Sequence, residues 1–301
     1  MYTSLVIEGG GSKNIASLGA LSFLEQQGLI NNLSNYAGTS SGAIICTLLN
    51  MGFTSQEIFN VIFNGQVNKT TQSNIWMWFY NILKKYGIHN PHKVNKLITD
   101  LFKTKQHPPN ITFKQLYQKT NKNLVITGTN ITKQKIDYFH HLNTPNMPII
   151  DAIRITMNIP LYFTKIQHNG DYYVDGFLLM NFPLYYFDEP SGYLCCDSTE
   201  LDNHFQTTTP NNQTIGIITI DPDETLDNSN LQINNLSDYL TAILNTMLNN
   251  IQQHYLKNNF SQRTIVIQLP LKINPTDFQP PQNTQKQLLQ IGFDTAHKFC
   301  S

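Results

Sequence analysis

Short apolar runs alternate with longer amphipathic ones along most of this chain. Leu5, Val6 and Ile7 form a run too short for a helix that leads, through Glu8, into three consecutive glycines, so they read as a buried strand entering a turn. Residues 14–26 follow with Ile15, Leu18, Leu21 and Leu24 on one face of a 3.6-residue period, which predicts a helix. A short buried strand ending at Tyr36-Ala37 precedes a continuous apolar run over 43–49, fit for a buried helix. Residues 86–103 read as a loop and a helix with Val94, Leu97, Ile98, Leu101 and Phe102 facing inward, and strands are expected at 124–129 and 136–139. A helix from Ala152 leads into a proline-aromatic turn at Pro160 to Phe163, and a β-rich run at 172–174 ends on Asp175-Gly176. After a polar loop at 197–212 come buried strands at 215–220 and 264–269, a helix at about 237–257, a proline-containing loop at 275–281 and a last helix to Cys300. Strands alternating with helices predict an α/β fold with a mostly parallel central sheet covered on both faces. No internal repeat is visible.

Three pieces of this pattern carry chemistry. The first is Gly38-Thr39-Ser40-Ser41-Gly42, a Gly-x-Ser-x-Gly motif between a predicted strand and a predicted helix. A serine on such a turn holds a strained backbone, and glycines two residues to either side avoid collision with the flanking elements. The helix that starts there favours developing negative charge at Ser40. Alone, so short a motif is as much a chance match as a site; the strand-turn-helix setting raises its weight.

The second piece is Glu8-Gly9-Gly10-Gly11-Ser12-Lys13, whose glycines allow main-chain N–H groups to converge on one anion. It fits a pyrophosphate cradle, an oxyanion hole or a plain tight turn. The dinucleotide fingerprint wants a third spaced glycine where Asn14 stands, and Glu25 comes too early to serve as its acidic residue. The third piece is Asp175-Gly176, by itself a common turn pair, followed by Asn181 and Pro183.

Taken in order, the glycine loop with its basic residue, the Gly-x-Ser-x-Gly, the helix ending in Ile159-Pro160, and Asp175-Gly176 with Asn-x-Pro behind it resemble the patatin-like phospholipase family. The match runs from about Leu5 to Pro183. The resemblance implies a three-layer α/β/α fold and a serine-aspartate dyad that hydrolyses acyl esters of membrane lipids, as a phospholipase A or lysophospholipase does, with no metal or other cofactor. By motif it assigns Ser40 as nucleophile, Asp175 as base, the loop Gly9, Gly10, Gly11, Ser12 and Lys13 as oxyanion hole, and Gly38, Gly42 and Gly176 as supports. Three positions depart from the family pattern. Phe177 follows Gly176 where two small residues are usual, Lys13 and Asn14 replace arginine and glycine, and Thr156, Met157 and Asn158 stand where alanine and serine are usual. None removes a reacting group, so altered specificity or rate is expected.

Two other readings stay open. A Ser-Asp-His α/β-hydrolase has histidines in the right chain order at His204, His254 and His297, although that fold normally builds several strands before its nucleophile. A non-catalytic lipid-binding protein on the same fold is the other. An aspartate base also needs partial burial, since its pKa in water, near 3.9, makes it a poor base.

Composition sets outer limits. Lys plus Arg equals Asp plus Glu at 20 each, which gives no nucleic-acid footprint. Cys46, Cys195, Cys196 and Cys300 have no metal-type spacing and suit reduced thiols in an intracellular, cytoplasmic setting. Neither a signal peptide nor an apolar run of transmembrane length is expected. The segment Ile75-Trp76-Met77-Trp78-Phe79-Tyr80, with Lys84-Lys85 after it, suits either peripheral contact with a lipid surface through Trp76 and Trp78 or a core helix. An activating protein partner leaves no sequence signal. The motif spread points to one catalytic unit over 1–301, with core motifs in 5–183 and 184–301 completing the fold.

Overall fold

The computed structural model describes residues 1–62, 91–160, 166–188, 210–221, 260–270 and 280–301, with positions 233, 239, 242, 246 and 273; for 62, 91–97, 260 and 261 the backbone alone is described. Strand β1 (Ser4–Ile7) is buried on both faces, as its unbroken apolar run requires of a central strand. It pairs in parallel with β2 (Asn35–Gly38) on one side and β7 (Thr214–Ile220) on the other. Parallel pairs continue outward to β3 (Asn123–Asn130) and β8 (Thr264–Gln268). The remainder is antiparallel. Strand β4 (Lys135–Phe139) and β6 (Asp171–Asp175) both pair with β3, and β5 (Ile166–His168) forms a hairpin with β6. The parallel core is as expected, and the sheet as a whole is mixed.

One feature of the register matters most. Ile126 of β3 pairs with both Gly38 and Phe139, and Gly128 pairs with both Asp137 and Asp175. A strand has two edges. Since β4 runs unbroken along one edge from Ile126 to Asn130, β2 and β6 must share the other, meeting end to end opposite Thr127.

Period-two alternation sorts the strands onto two faces. Leu5, Ile7, Tyr36, Leu124, Ile126, Ile215, Ile217, Ile265 and Ile267 join the larger hydrophobic cluster. Helices α1 (Asn14–Gln26), α2 (Ser40–Asn50), α3 (Ser55–Ile62), α4 (Pro91–Thr104), α5 (Phe113–Thr120), α6 (Ile149–Thr156) and α7 (Gln282–Cys300) all bury residues in that cluster. Val6, Ala37, Val125 and Ile218 face the other way. Among the described residues they are covered by a strap at 176–188, built of 3-10 turns, through Met180, Phe182, Leu184, Tyr186 and Phe187. Of the helix expected at 237–257, positions 239, 242 and 246 are described and helical. Trp76, Trp78, Cys195, Cys196, His204 and His254 lie outside the described residues, as do most of the expected loops at 197–212 and 275–281.

Candidate active site

Ser40 sits where β2 gives way to α2, with a φ of 52° that a side-chain-bearing residue rarely adopts. Such a conformation costs on the order of 1–3 kcal/mol and persists only when neighbours enforce it. The enforcement is visible. A Cβ on Gly42 would lie 2.4 Å from the Ile7 carbonyl oxygen, and one on Gly38 would lie 2.7 Å from the Ala43 amide nitrogen, so the flanking positions admit glycine alone. Thr39 ties the turn to its neighbours: its Oγ1 donates to the Met180 carbonyl at 2.9 Å and, with that proton committed, accepts from Thr127 Oγ1 at 2.7 Å. The Ser40 N–H donates to Thr156 Oγ1 at 2.9 Å.

Asp175 ends β6 directly across that joint and is 0% exposed. The Phe177 N–H donates to its Oδ1 at 3.1 Å, so the departure from small residues after Gly176 leaves the backbone donor in place. A Cβ on Gly176 would lie 2.1 Å from Thr127 Oγ1, which is why glycine must follow the aspartate. Burial pushes the Asp175 carboxyl up to about 7, against the lowering effect of the Ser40 hydroxyl and of the Phe177 and Gly176 amides. Although Ser40 acts on this carboxylate, Oδ2 has no partner within hydrogen-bonding geometry among the described residues. The serine thus lies near enough to act on the carboxylate's titration.

The glycine loop lies beside them at the end of β1, next to the point where strand order reverses between β1 and β7. A Cβ on Gly9 would come within 3.1 Å of Ser40 Cβ, so the loop backbone borders the serine itself. The cradle is partly filled from within. Gly9 N–H donates to the Asn181 carbonyl at 3.3 Å, Gly10 N–H to Ser41 Oγ at 3.2 Å and Lys13 N–H to the Gly10 carbonyl at 3.1 Å. Gly11 turns the loop with a φ of 58°, and Ser12 is fully buried. Lys13 forms an ion pair with Asp221 at the end of β7, 2.6 Å long.

Four residues that the sequence reading left without a role complete the surroundings. Asn14, a departure from the family glycine, donates through Nδ2 to the Glu8 carbonyl at 2.9 Å and to Ser41 Oγ at 2.8 Å, linking the loop to the turn. Glu8 is a buried carboxylate that accepts from Asn181 Nδ2 at 2.9 Å and from the Thr219 N–H at 3.2 Å. Burial raises its pKa to about 7, while the Thr219 amide, Lys13 and Asn181 oppose the rise. Thr156 and Asn158 reach the backbone of Ser40 and Asp175 respectively. The available signals were a carboxylate at the end of an otherwise apolar strand, for Glu8, and departures from the family pattern for the other three.

Among the histidines considered for a triad, His297 lies on α7 with its ring 5.3 Å from that of Phe23, at the opposite end of α1 from the glycine loop. Among the described residues, the groups acting on the Asp175 carboxyl are Ser40, Phe177 and Gly176.

A strained serine at the head of a helix and a glycine loop, both at the carboxyl ends of parallel strands, beside a buried carboxylate that ends an antiparallel strand, define a serine-hydrolase type of site on an α/β fold. The chain belongs to the patatin-like phospholipase family, whose model matches residues 5–188. It is 28% identical over 293 residues to uncharacterized protein R571 of Acanthamoeba polyphaga mimivirus, covering 96% of this chain and 90% of that protein. It is 34% identical over 183 residues to the probable lipid hydrolase 463L of Invertebrate iridescent virus 6, covering 61% of this chain and 62% of that one. Among solved structures, VipD from Legionella pneumophila shares the fold, with a TM-score of 0.54 and 17% identity over 99% of this chain and 66% of its own. The chain thus spans less than two thirds of the iridescent virus protein and of VipD.

Proposed function

We propose that this chain is a lipid acyl hydrolase of the phospholipase A or lysophospholipase type, with Ser40 and Asp175 carrying the reaction. The observation behind this reading is the Asp175 carboxylate, fully buried with Oδ2 unpartnered among the described residues, next to a serine on a strained turn at a helix N-terminus. Raised to about 7, that carboxylate is a far better base than an aspartate in water.

As Ser40 Oγ bonds to the ester carbonyl carbon, its proton passes to Asp175. The carbonyl oxygen becomes an oxyanion held by the loop Gly9–Lys13 and the N-terminus of α2, and the Gly10 N–H turns from Ser41 Oγ towards it. Collapse breaks the ester C–O bond, and the proton on Asp175 goes to the departing alkoxide of the lysolipid or alcohol. Water, deprotonated by Asp175, then attacks the acyl-serine and releases the fatty acid and the free hydroxyl. Every step uses groups of this chain. In this reading Trp76 and Trp78 supply peripheral contact with a membrane surface inside the cell.

Mass-spectrometric analysis of mixed phospholipid vesicles, with fluorophosphonate labelling alongside, tests the assignment. Ser40→Ala should end both fatty-acid release and labelling. Asp175→Asn should lower turnover by about 10³ or more, and His297→Ala should leave it unchanged. Release of fatty acid by Ser40→Ala at the wild-type rate would remove the proposal.

A further inference from the structure

The two reacting side chains come from strands that meet end to end along one edge of β3, so no ladder hydrogen bond links one strand to the other. Besides the bond from Thr39 Oγ1 to the Met180 carbonyl, residues 156–158 join them. Thr156, the last residue of α6, is fully buried, and its Oγ1 accepts the Ser40 N–H at 2.9 Å. Two positions on, the Asn158 carbonyl accepts the Asp175 N–H at 2.8 Å, and Asn158 Nδ2 donates to the Tyr173 carbonyl at 2.9 Å. A buried asparagine thereby serves as a one-residue substitute for the neighbouring strand, satisfying the amide of the base and the carbonyl two residues before it.

We propose that Thr156 is a positioning residue of the reaction, its hydroxyl holding the nucleophile's backbone at the distance from Asp175 that Asn158 sets. The Ser40 amide, rather than packing, is what Thr156 serves. Ser40 N–H is the first amide of α2 and has no acceptor of its own along the helix. With φ at 52° it points out of the turn, and the Thr156 oxygen meets it there. Without that acceptor the turn relaxes towards an ordinary helix start, which swings Oγ away from the carboxylate. Displacements of about 1 Å in a reacting group cost on the order of 10²-fold in rate. The substrate need not touch Thr156, so its affinity should be untouched. This inference rests on the Ser40–Asp175 reading.

Thr156→Ser and Thr156→Cys differ in one atom, and the cysteine sulfur is a weak acceptor; Thr156→Val removes the acceptor at constant shape. Hydrolysis of a short p-nitrophenyl ester and the rate of fluorophosphonate labelling are measured for each, well below its own Tm. Expected are Thr156→Ser within about 3-fold of wild type, and kcat and labelling rate down about 10- to 100-fold in Thr156→Cys and Thr156→Val with KM within about 2-fold. Equal losses in Ser and Cys variants, a loss confined to KM, or wild-type kcat in Thr156→Cys would overturn the positioning role. Should Thr156→Val not fold, the Ser and Cys pair decides alone. Ser40→Ala runs in parallel: labelling that persists there overturns the dyad reading, whereas labelling lost there but unchanged in Thr156→Cys overturns the positioning role only.

Discussion

Asp175 and Glu8 are two carboxylates that the fold takes out of water within the same site, one flanked by a hydroxyl and two amides and the other by an amide and the side chains of Lys13, Asn181 and Asp221. Both are raised to about 7, from 3.8 and 4.5. A raised acid holds its proton more tightly folded than unfolded. Between about pH 4 and pH 7 the native state therefore binds protons that the unfolded chain has released, and stability falls as pH rises through that window, then levels. Asp175→Asn removes one of these groups. Its stability relative to wild type should match near pH 4 and exceed it by on the order of 2 kcal/mol at pH 8, read from urea unfolding at both pH values. A wild-type stability that climbs from pH 5 to pH 8, with no gain in the variant, would contradict burial as the cause of the shift. The same burial explains why Glu8 escaped the sequence reading: a glutamate beside a glycine turn looks solvated until Asn181 and Thr219 close over it.

Helices α1 and α7 cross at a point where their backbones nearly touch. A Cβ on Gly19 would stand 2.0 Å from the Leu289 carbonyl oxygen, and one on Gly292 would stand 1.8 Å from that of Ala16. Contact this close requires two glycines facing one another's helix, and it seats α7 directly behind the helix that carries the glycine loop. Gly292→Ala and Gly19→Ala should each force the helices apart and cost about 1–3 kcal/mol, measured as a fall in the urea midpoint, even though alanine is the better helix former. A neutral or stabilising outcome would mean that the crossing is looser than described. Both helices were legible in the sequence, α1 from its periodicity, whereas neither glycine carried a sign of what it met. Two elements had local signals that went unread. Thr112 and Gln115 form a reciprocal capping box at the start of α5, and Asn169-Gly170, at φ values of 49° and 90°, makes the two-residue turn of the β5–β6 hairpin.

The strap at 176–188 covers the second face of the sheet and also carries Asn181, so the site depends on the strap staying down. Its far end is fastened by Asp188, which pairs with the Arg263 guanidinium through both carboxylate oxygens just before β8. Side-chain exposure at the pair is only 7% and 1%, so removing one partner leaves an uncompensated buried charge. Arg263→Ala should destabilise by about 3–5 kcal/mol, and the double variant Asp188→Leu, Arg263→Met should recover much of the loss. The measurement is thermal unfolding of the whole chain, and Arg263→Ala with an unchanged Tm would show the fastening to be idle. With motifs from residue 9 to 183 converging on one site and one cluster running from Leu5 to Ala296, we propose that the chain unfolds as a single unit.

Residue order alone determined the local events: a strand into a glycine turn, a strand into a serine turn and helix, and an aspartate closing a strand. Each depends on backbone sterics and apolar spacing over a few positions, so each is written where it happens. Tertiary structure decided what those events face. The end-to-end meeting of β2 and β6 along one edge of β3, the antiparallel strands beside the parallel core, and the capture of the Ser40 and Asp175 amides by Thr156 and Asn158 all arise from pairings between distant segments. Register of that kind is set by which side chains fit together once the faces are buried, and by no preference that a single stretch of chain possesses.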